Sequence, residues 1–237
     1  MAPTIVFVPG FWEGPLPFSH VCTLLQAEGY ATKVASHPST GTVSPGNPSM
    51  YDDIAAIRII IQGLVEAEHE VLMVGHSAGG WLGSSATDGL TRPECKKKGL
   101  RGGVIGIVFF AAGIAPLNWK IETQSFMREG GAVVCQAPRD VLFNDLDDET
   151  AEKWIKELKS QPADGWDGTI TYCGWQHVPS VYLVCEADAR IRPQLQLKFA
   201  GMAGSKIVKC PAGHMAQLSM PEKVVEVVKN AAAEFGS

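Results

Sequence analysis

Three residue types in three separate contexts carry the chemistry in this sequence. Ser77 stands in Val71-Leu72-Met73-Val74-Gly75-His76-Ser77-Ala78-Gly79-Gly80, an apolar run that ends abruptly in small residues around one hydroxyl. A run of this kind suits a buried strand, and a helix over Trp81 to Asp88 can follow it. Ser77 then falls on a sharp strand-to-helix turn, the geometry that exposes a nucleophile. Gly75 and Gly79 fit the same reading, because bulk two residues on either side of the apex would strike the neighbouring strand and helix. A serine hydroxyl needs a base to take its proton, and histidine suits that task near neutral pH.

Six histidines are available. His20 falls in a helix, His69 in a polar loop and His37 after a strand, each with an ordinary surface explanation. His177 is read as structural, and His76 as packing against the sheet or framing the pocket, since neighbours around a sharp turn point apart. His214 differs: Pro211-Ala212-Gly213-His214-Met215-Ala216 follows an apolar strand directly, so His214 sits at the same strand-end edge as Ser77. An acid must fix the tautomer of the base and stabilise its cation. Cys185-Glu186-Ala187-Asp188 offers two carboxylates at another strand end. Asp188 is preferred because it lies further into the loop, where it can turn toward His214. The fourth requirement is a pair of backbone amides aimed at a developing oxyanion. Ala78 supplies one, and Phe11 in Pro9-Gly10-Phe11-Trp12-Glu13-Gly14 supplies the other, with Gly10 letting the backbone turn. Gly10, Trp12, Glu13, His76 and Met215 flank these positions and are expected to contact substrate.

The elements that must position these groups are legible as short apolar runs between amphipathic stretches. Strands are predicted at Thr4 to Val8, Tyr30 to Ala35, Val71 to Val74, Val104 to Phe110, Val181 to Val184 and Lys206 to Lys209. Helices are predicted over Phe18 to Glu28, after Ser49 with its cap-like Asp52, and over Glu222 to Phe235 behind Pro221. In the second of these, Ile54, Ile57, Ile61, Leu64 and Val65 recur at helical spacing. This alternation predicts a mostly parallel six-stranded sheet with helices on both faces. Residues 115 to 178 break the rhythm. They exceed what a crossover needs and are read as a lid inserted between the fourth and fifth strands, containing a helix with Ala151, Trp154, Ile155 and Leu158 on one face. Trp119, Phe126, Val133, Val134, Leu142, Phe143, Trp166, Tyr172 and Trp175 make that insertion apolar and aromatic.

The frame agrees with one domain over residues 1 to 237, large enough to bury a core. The net charge of −5 and a pI near 5.7 disfavour nucleic acid or an anionic membrane as a partner. The cluster Arg92, Lys96-Lys97-Lys98 and Arg101 is read as a solvated loop. Six widely spaced cysteines without CxxC or Cys/His spacing suggest free thiols and no metal. The opening Met1-Ala2-Pro3 carries no cleavable leader pattern, and no apolar run approaches membrane-spanning length, so a cytoplasmic protein is expected. Organic cofactors are not implied, and no GxGxxG follows the first strand, which removes a nicotinamide-binding reading. The oligomeric state cannot be read from these features.

With these residues placed, the sequence resembles the α/β-hydrolase superfamily, in particular the compact branch of plant methylesterases, hydroxynitrile lyases and small fungal hydrolases. The motifs that carry the resemblance are Val8-Pro9-Gly10-Phe11-Trp12, Val74 to Gly80, Tyr182 to Asp188 and Ala212 to Ala216, and the order Ser77, Asp188, His214 is the order of that arrangement. The resemblance implies the α/β-hydrolase fold with Ser77 as nucleophile, Asp188 as acid, His214 as base, and Phe11 and Ala78 as oxyanion donors. The family's first loop usually begins His-Gly and holds a second histidine. Here it has Pro9-Gly10 and Glu13, which puts a carboxylate near the acyl site. Lyases of the branch carry a lysine after the catalytic histidine; Met215 stands there, which disfavours cyanohydrin cleavage. The implied activity is hydrolysis of an ester, lactone or thioester of a small, partly apolar molecule. The alternatives are another triad-dependent transformation of a secondary metabolite and a non-hydrolytic small-molecule receptor.

Overall fold

A computed structural model describes residues 2–121 and 128–236. Six strands, β1 (Thr4–Val8), β2 (Thr32–Val34), β3 (Glu70–His76), β4 (Gly103–Phe110), β8 (Ser180–Cys185) and β9 (Lys206–Cys210), form a sheet in the order β2-β1-β3-β4-β8-β9. All five pairings are parallel. Three short strands, β5 (Arg128–Glu129), β6 (Ala132–Val133) and β7 (Gln161–Pro162), make a separate antiparallel sheet inside the insertion.

The strands form because alternate residues feed two apolar layers. Val6 and Val8 of β1 pack with Ile57, Ile61 and Val65 of α2 (Met50–Glu66) and with Leu82 of α3 (Gly79–Ala86). Ile5 and Phe7 pack on the opposite face with Val21 and Leu25 of α1 (Ser19–Ala27) and Val224 and Val228 of the C-terminal helix (Pro221–Phe235). β4 is buried along its whole length, as an unbroken apolar run between two helical layers should be. Each fully buried Val, Leu, Ile or Phe contributes about 1.5–3 kcal/mol. The helix starts are chemically marked: the Asp52 carboxylate accepts from the Ser49 N–H at 2.7 Å.

The sequence-level boundaries shift in informative ways. β3 continues to His76, so Ser77 is the first residue beyond the strand, and α3 begins at Gly79 and not at Trp81. Arg92–Lys97 is a helix, α4, and not a loop, because Thr91 and Glu94 cap it and Cys95 is buried beneath it; Lys96, Lys97 and Lys98 remain exposed. An unforeseen helix, α7 (Pro193–Ala203), joins β8 to β9. It opens on proline and closes on Gly204 at φ 61°.

In the insertion, α5 (Pro138–Val141) and α6 (Asp148–Glu157) precede β7. Ala151, Trp154, Ile155 and Leu158 pack in one cluster with Trp12, Val133, Leu142, Phe143 and Met215. Trp166 is buried, whereas Trp119 is 55% exposed; Phe126 lies outside the described residues. All six cysteines are free thiols. Among the described residues, no helix is long and apolar enough to cross a membrane.

Candidate active site

In this strand order the chain leaves β1 toward β2 and then returns to place β3 on the other side of β1. Loops after β1 and β3 diverge there, which opens a crevice at the carboxyl ends of the strands. Ser77 occupies that crevice with φ 51°. A left-handed conformation costs a non-glycine residue roughly 1–3 kcal/mol. Packing enforces it: a β-carbon on Gly79 would collide with the Val8 carbonyl oxygen, and one on Gly10 would lie 2.5 Å from Ser77 Cβ. The turn is closed further by Gly113 N–H, which donates to the Ser77 carbonyl at 2.9 Å. Ala78 is the residue just ahead of α3, where backbone N–H groups lack acceptors within the helix.

At the far side of the edge, His214 Nδ1 donates to Asp188 Oδ2 at 2.9 Å, and both side chains are almost completely buried. Asp188 Oδ1 also accepts from the amides of Arg190 at 2.7 Å and Ile191 at 2.9 Å, while Gln196 Nε2 donates to Oδ2 at 2.9 Å. Four donors therefore hold one carboxylate in place. With Nδ1 committed to Asp188, the lone pair of His214 lies on Nε2, directed away from the acid. No hydrogen bond joins Ser77 Oγ to His214 among the described residues, and such contacts commonly tighten only when substrate binds. Glu186, the other carboxylate on this strand end, is exposed and pairs with Lys209 at 3.3 Å.

The residues expected to contact substrate are distributed differently. His76 is buried and stacked on Phe110 at 4.7 Å, with Nδ1 on Glu13 Oε1 at 2.5 Å and Nε2 donating to the His214 carbonyl at 3.0 Å. Burial alone would lower the His76 pKa. The charge and hydrogen bond of Glu13, the His214 carbonyl and the charge of Asp188 together raise it. Glu13 does not stand at the acyl site as a free carboxylate. It is buried, and it accepts from Gly10 N–H, His76 and Gln217 Nε2. Trp12, at φ 64°, is also buried, with its indole N–H donating to the Val133 carbonyl at 2.8 Å. Trp12, Glu13 and Met215 share the wall of a cavity of about 150 Å³ with Phe143, Trp154 and Leu158. Ser77 and His214 do not line it, and it is smaller than the roughly 300–1,000 Å³ usual for ligand sites.

Two further positions escaped the sequence reading. His37 is buried, with Nε2 donating to the Pro9 carbonyl at 2.9 Å, so it supports the loop after β1 and is not a surface residue. Gln196 brackets the acid loop by bonding Cys185 N–H, Asp188 and the Ile191 carbonyl. The signal that could have found Gln196 is the proline-to-glycine span of α7 behind the Asp188 loop.

A parallel α/β sheet with a strained serine turn at its switch point, and an Asp–His pair on the loops after the last two strands of the sheet, defines the α/β-hydrolase architecture. The chain belongs to the alpha/beta hydrolase family, whose model matches residues 5–227. It is 32% identical over 248 aligned residues to "Alpha/beta hydrolase nvfD" of Aspergillus novofumigatus (strain IBT 16806), covering 99% of this chain and 98% of that protein. Among solved structures, polyneuridine aldehyde esterase superposes with a TM-score of 0.76 at 16% identity, covering 98% of this chain and 100% of that one. The methylesterase MES16 from Arabidopsis superposes with a TM-score of 0.74 at 19% identity, covering 98% and 99%.

Proposed function

We propose that this protein is a serine hydrolase that cleaves an ester, lactone or thioester bond of a small, partly apolar molecule through an acyl-enzyme. The observation that carries the reading is the Asp188–His214 hydrogen bond at 2.9 Å, set on the same strand-end edge as the strained turn of Ser77. Family membership and the hydrolase and esterase names of its relatives support the same class.

Ser77 Oγ attacks the substrate carbonyl carbon while its proton passes to His214 Nε2. The carbonyl π pair moves onto oxygen, and the amides of Phe11 and Ala78 receive that oxyanion; one such donor is worth roughly 100- to 1,000-fold in rate. The imidazolium is stabilised by Asp188 and gives its proton to the departing alcohol or thiol as the acyl bond breaks. Water, deprotonated by His214, then attacks the acyl carbon; collapse of the second tetrahedral intermediate returns the proton to Ser77 and frees the acid. Glu13 and Met215 line the small cavity beside this site, while residues 115–178 act as the lid that selects the substrate.

The test is steady-state hydrolysis of a panel of short-chain aryl esters, lactones and thioesters by the wild type and Ser77→Ala. At least one class is expected to turn over in a Ser77-dependent manner. Equal rates for the two proteins would remove the nucleophile, and with it the mechanism.

A further inference from the structure

Glu13 and His76 lie outside the set of groups that the proposed reaction uses, yet they join its parts. Gly10 N–H donates to Glu13 Oε1, and the same oxygen takes His76 Nδ1 at 2.5 Å. The second carboxylate oxygen accepts from Gln217 Nε2 at 3.2 Å. On the other side of its ring, His76 Nε2 donates to the backbone carbonyl of His214 at 3.0 Å. The loop after β1, the end of β3 and the loop after β9 are thereby tied through two side chains, both at most 3% exposed.

Packing alone does not call for an ion pair here. Burying two charges costs several kcal/mol per ion before their attraction is counted, and apolar residues of similar volume are often as stable or more so. What an apolar pair could not do is fix backbone atoms. Gly10 sits against Ser77, with room for no β-carbon, and it immediately precedes Phe11, the proposed oxyanion donor. The His214 carbonyl belongs to the base itself.

We propose that Glu13 and His76 act as a positioning pair that sets the spacing between the oxyanion loop and the catalytic base. The proposal rests on the serine-hydrolase reading. The charged groups that face His76 are Glu13 from the loop after β1, Asp188 from the loop after β8 and His214, whose ring lies 4.8 Å from it, from the loop after β9. A carboxylate held behind Gly10 would oppose a developing oxyanion unless a cation balances it. His76 meets an oxygen acceptor at each ring nitrogen, Glu13 Oε1 and the His214 carbonyl, the arrangement of an imidazolium, and so supplies that cation.

The test compares wild type, Glu13→Gln, His76→Phe and the double variant, with kcat and KM for an aryl ester normalised to active sites titrated by a serine-directed phosphonate. Glu13→Gln keeps an oxygen for Gly10 but loses the charge; His76→Phe keeps an aromatic ring against Phe110 but loses both hydrogen bonds. Each single variant is expected to lose about 10- to 100-fold in kcat, the scale of one charge-assisted hydrogen bond, with KM changed less than about 3-fold. The double variant is expected to be no worse than the poorer single one, because the two residues work as a unit. Both substitutions disturb a buried pair, so Gln217→Leu, which removes the 3.2 Å bond to Glu13 and a weak 3.8 Å contact to Met215 Sδ but leaves both charges paired, provides the milder perturbation and guards against loss of the fold. It is expected to lower kcat about 2- to 10-fold. A kcat per titrated site within 2-fold of wild type in all folded variants, or losses that multiply in the double variant, would overturn the pair while the hydrolase reading stands. A wild type that the phosphonate does not label overturns both.

Discussion

The strand-end edge and the insertion of residues 115–178 are held in place by different means. At the edge, each proposed catalytic group sits within a few residues of a strand end. Asp188 takes amides from Arg190 and Ile191, Ser77 lies against Gly10, and Gly79 packs on the Val8 carbonyl. Among the described residues of the insertion, the strands are two residues long and the longest helix is Asp148–Glu157. These residues are tied down across long sequence separations by side-chain bonds, Trp12 to Val133, Gln161 and Trp166 to Ser39 and Tyr51 to Thr169, and by backbone bonds from Gly41 to Ser160, Ser44 to Gly131 and Met50 to Gly165. The two regions meet where Asn144 Nδ2 donates to the Ala187 carbonyl at 2.9 Å and Gly213 N–H donates to Asp145 Oδ2. The difference is one of range: the proposed catalytic groups are fixed mainly by neighbours within their own loops, whereas the insertion is fixed mainly by partners more than 80 residues away in sequence.

That contrast can be broken at graded cost. Asp188→Asn keeps the volume but changes the hydrogen-bonding demand on His214 Nδ1, and should lower kcat by roughly 10³- to 10⁴-fold, read in steady-state ester hydrolysis. Gly10→Ala forces a β-carbon against Ser77 and should cost about 100- to 1,000-fold, the scale of a displaced oxyanion donor; a fully active variant would show that the β1 loop has more room than its packing implies. Asp145→Ala removes the insertion's hydrogen bond to the base loop while leaving the packing on Met215, and should cost about 10-fold in kcat/KM. If it left activity intact while Asp188→Asn did not, the edge would be independent of the insertion.

The smallest effect concerns stability. The His76 pKa is raised in the folded state, so the native protein binds more proton than the unfolded chain above about pH 6.5. The stabilisation from the pair is therefore complete below about pH 6.5 and is lost as pH rises through the folded-state value. Chemical-denaturation midpoints should decline over that range in wild type and decline less in Glu13→Gln. A wild-type midpoint that rises there would contradict the assignment.

The four inner strands of the sheet were legible because they are apolar runs, and burial on both faces demands that composition; the edge strands β2 and β9 carry exposed lysines and were marked by their place between helical stretches. The placement of Ser77, Asp188 and His214 at one strand-end edge was legible because each lies within four residues of the end of a sheet strand. Other features lack a local signal. Glu13 and His76 are far apart in sequence and meet only when β1 and β3 pair. Trp12 and Met215 flank proposed catalytic positions in sequence, yet they pack together with Val133. The β5–β6 hairpin has strands of only two residues. Its one local mark was Gly130-Gly131, both at positive φ, a dipeptide that favours a tight hairpin turn.

The most direct measurement is the intact mass of the protein after reaction with a serine-directed phosphonate, followed by peptide mapping. One adduct per chain at Ser77, absent in Ser77→Ala and much slower to form in Asp188→Asn, is the expected result. No adduct, or an adduct on another residue that persists in Ser77→Ala, would contradict the account.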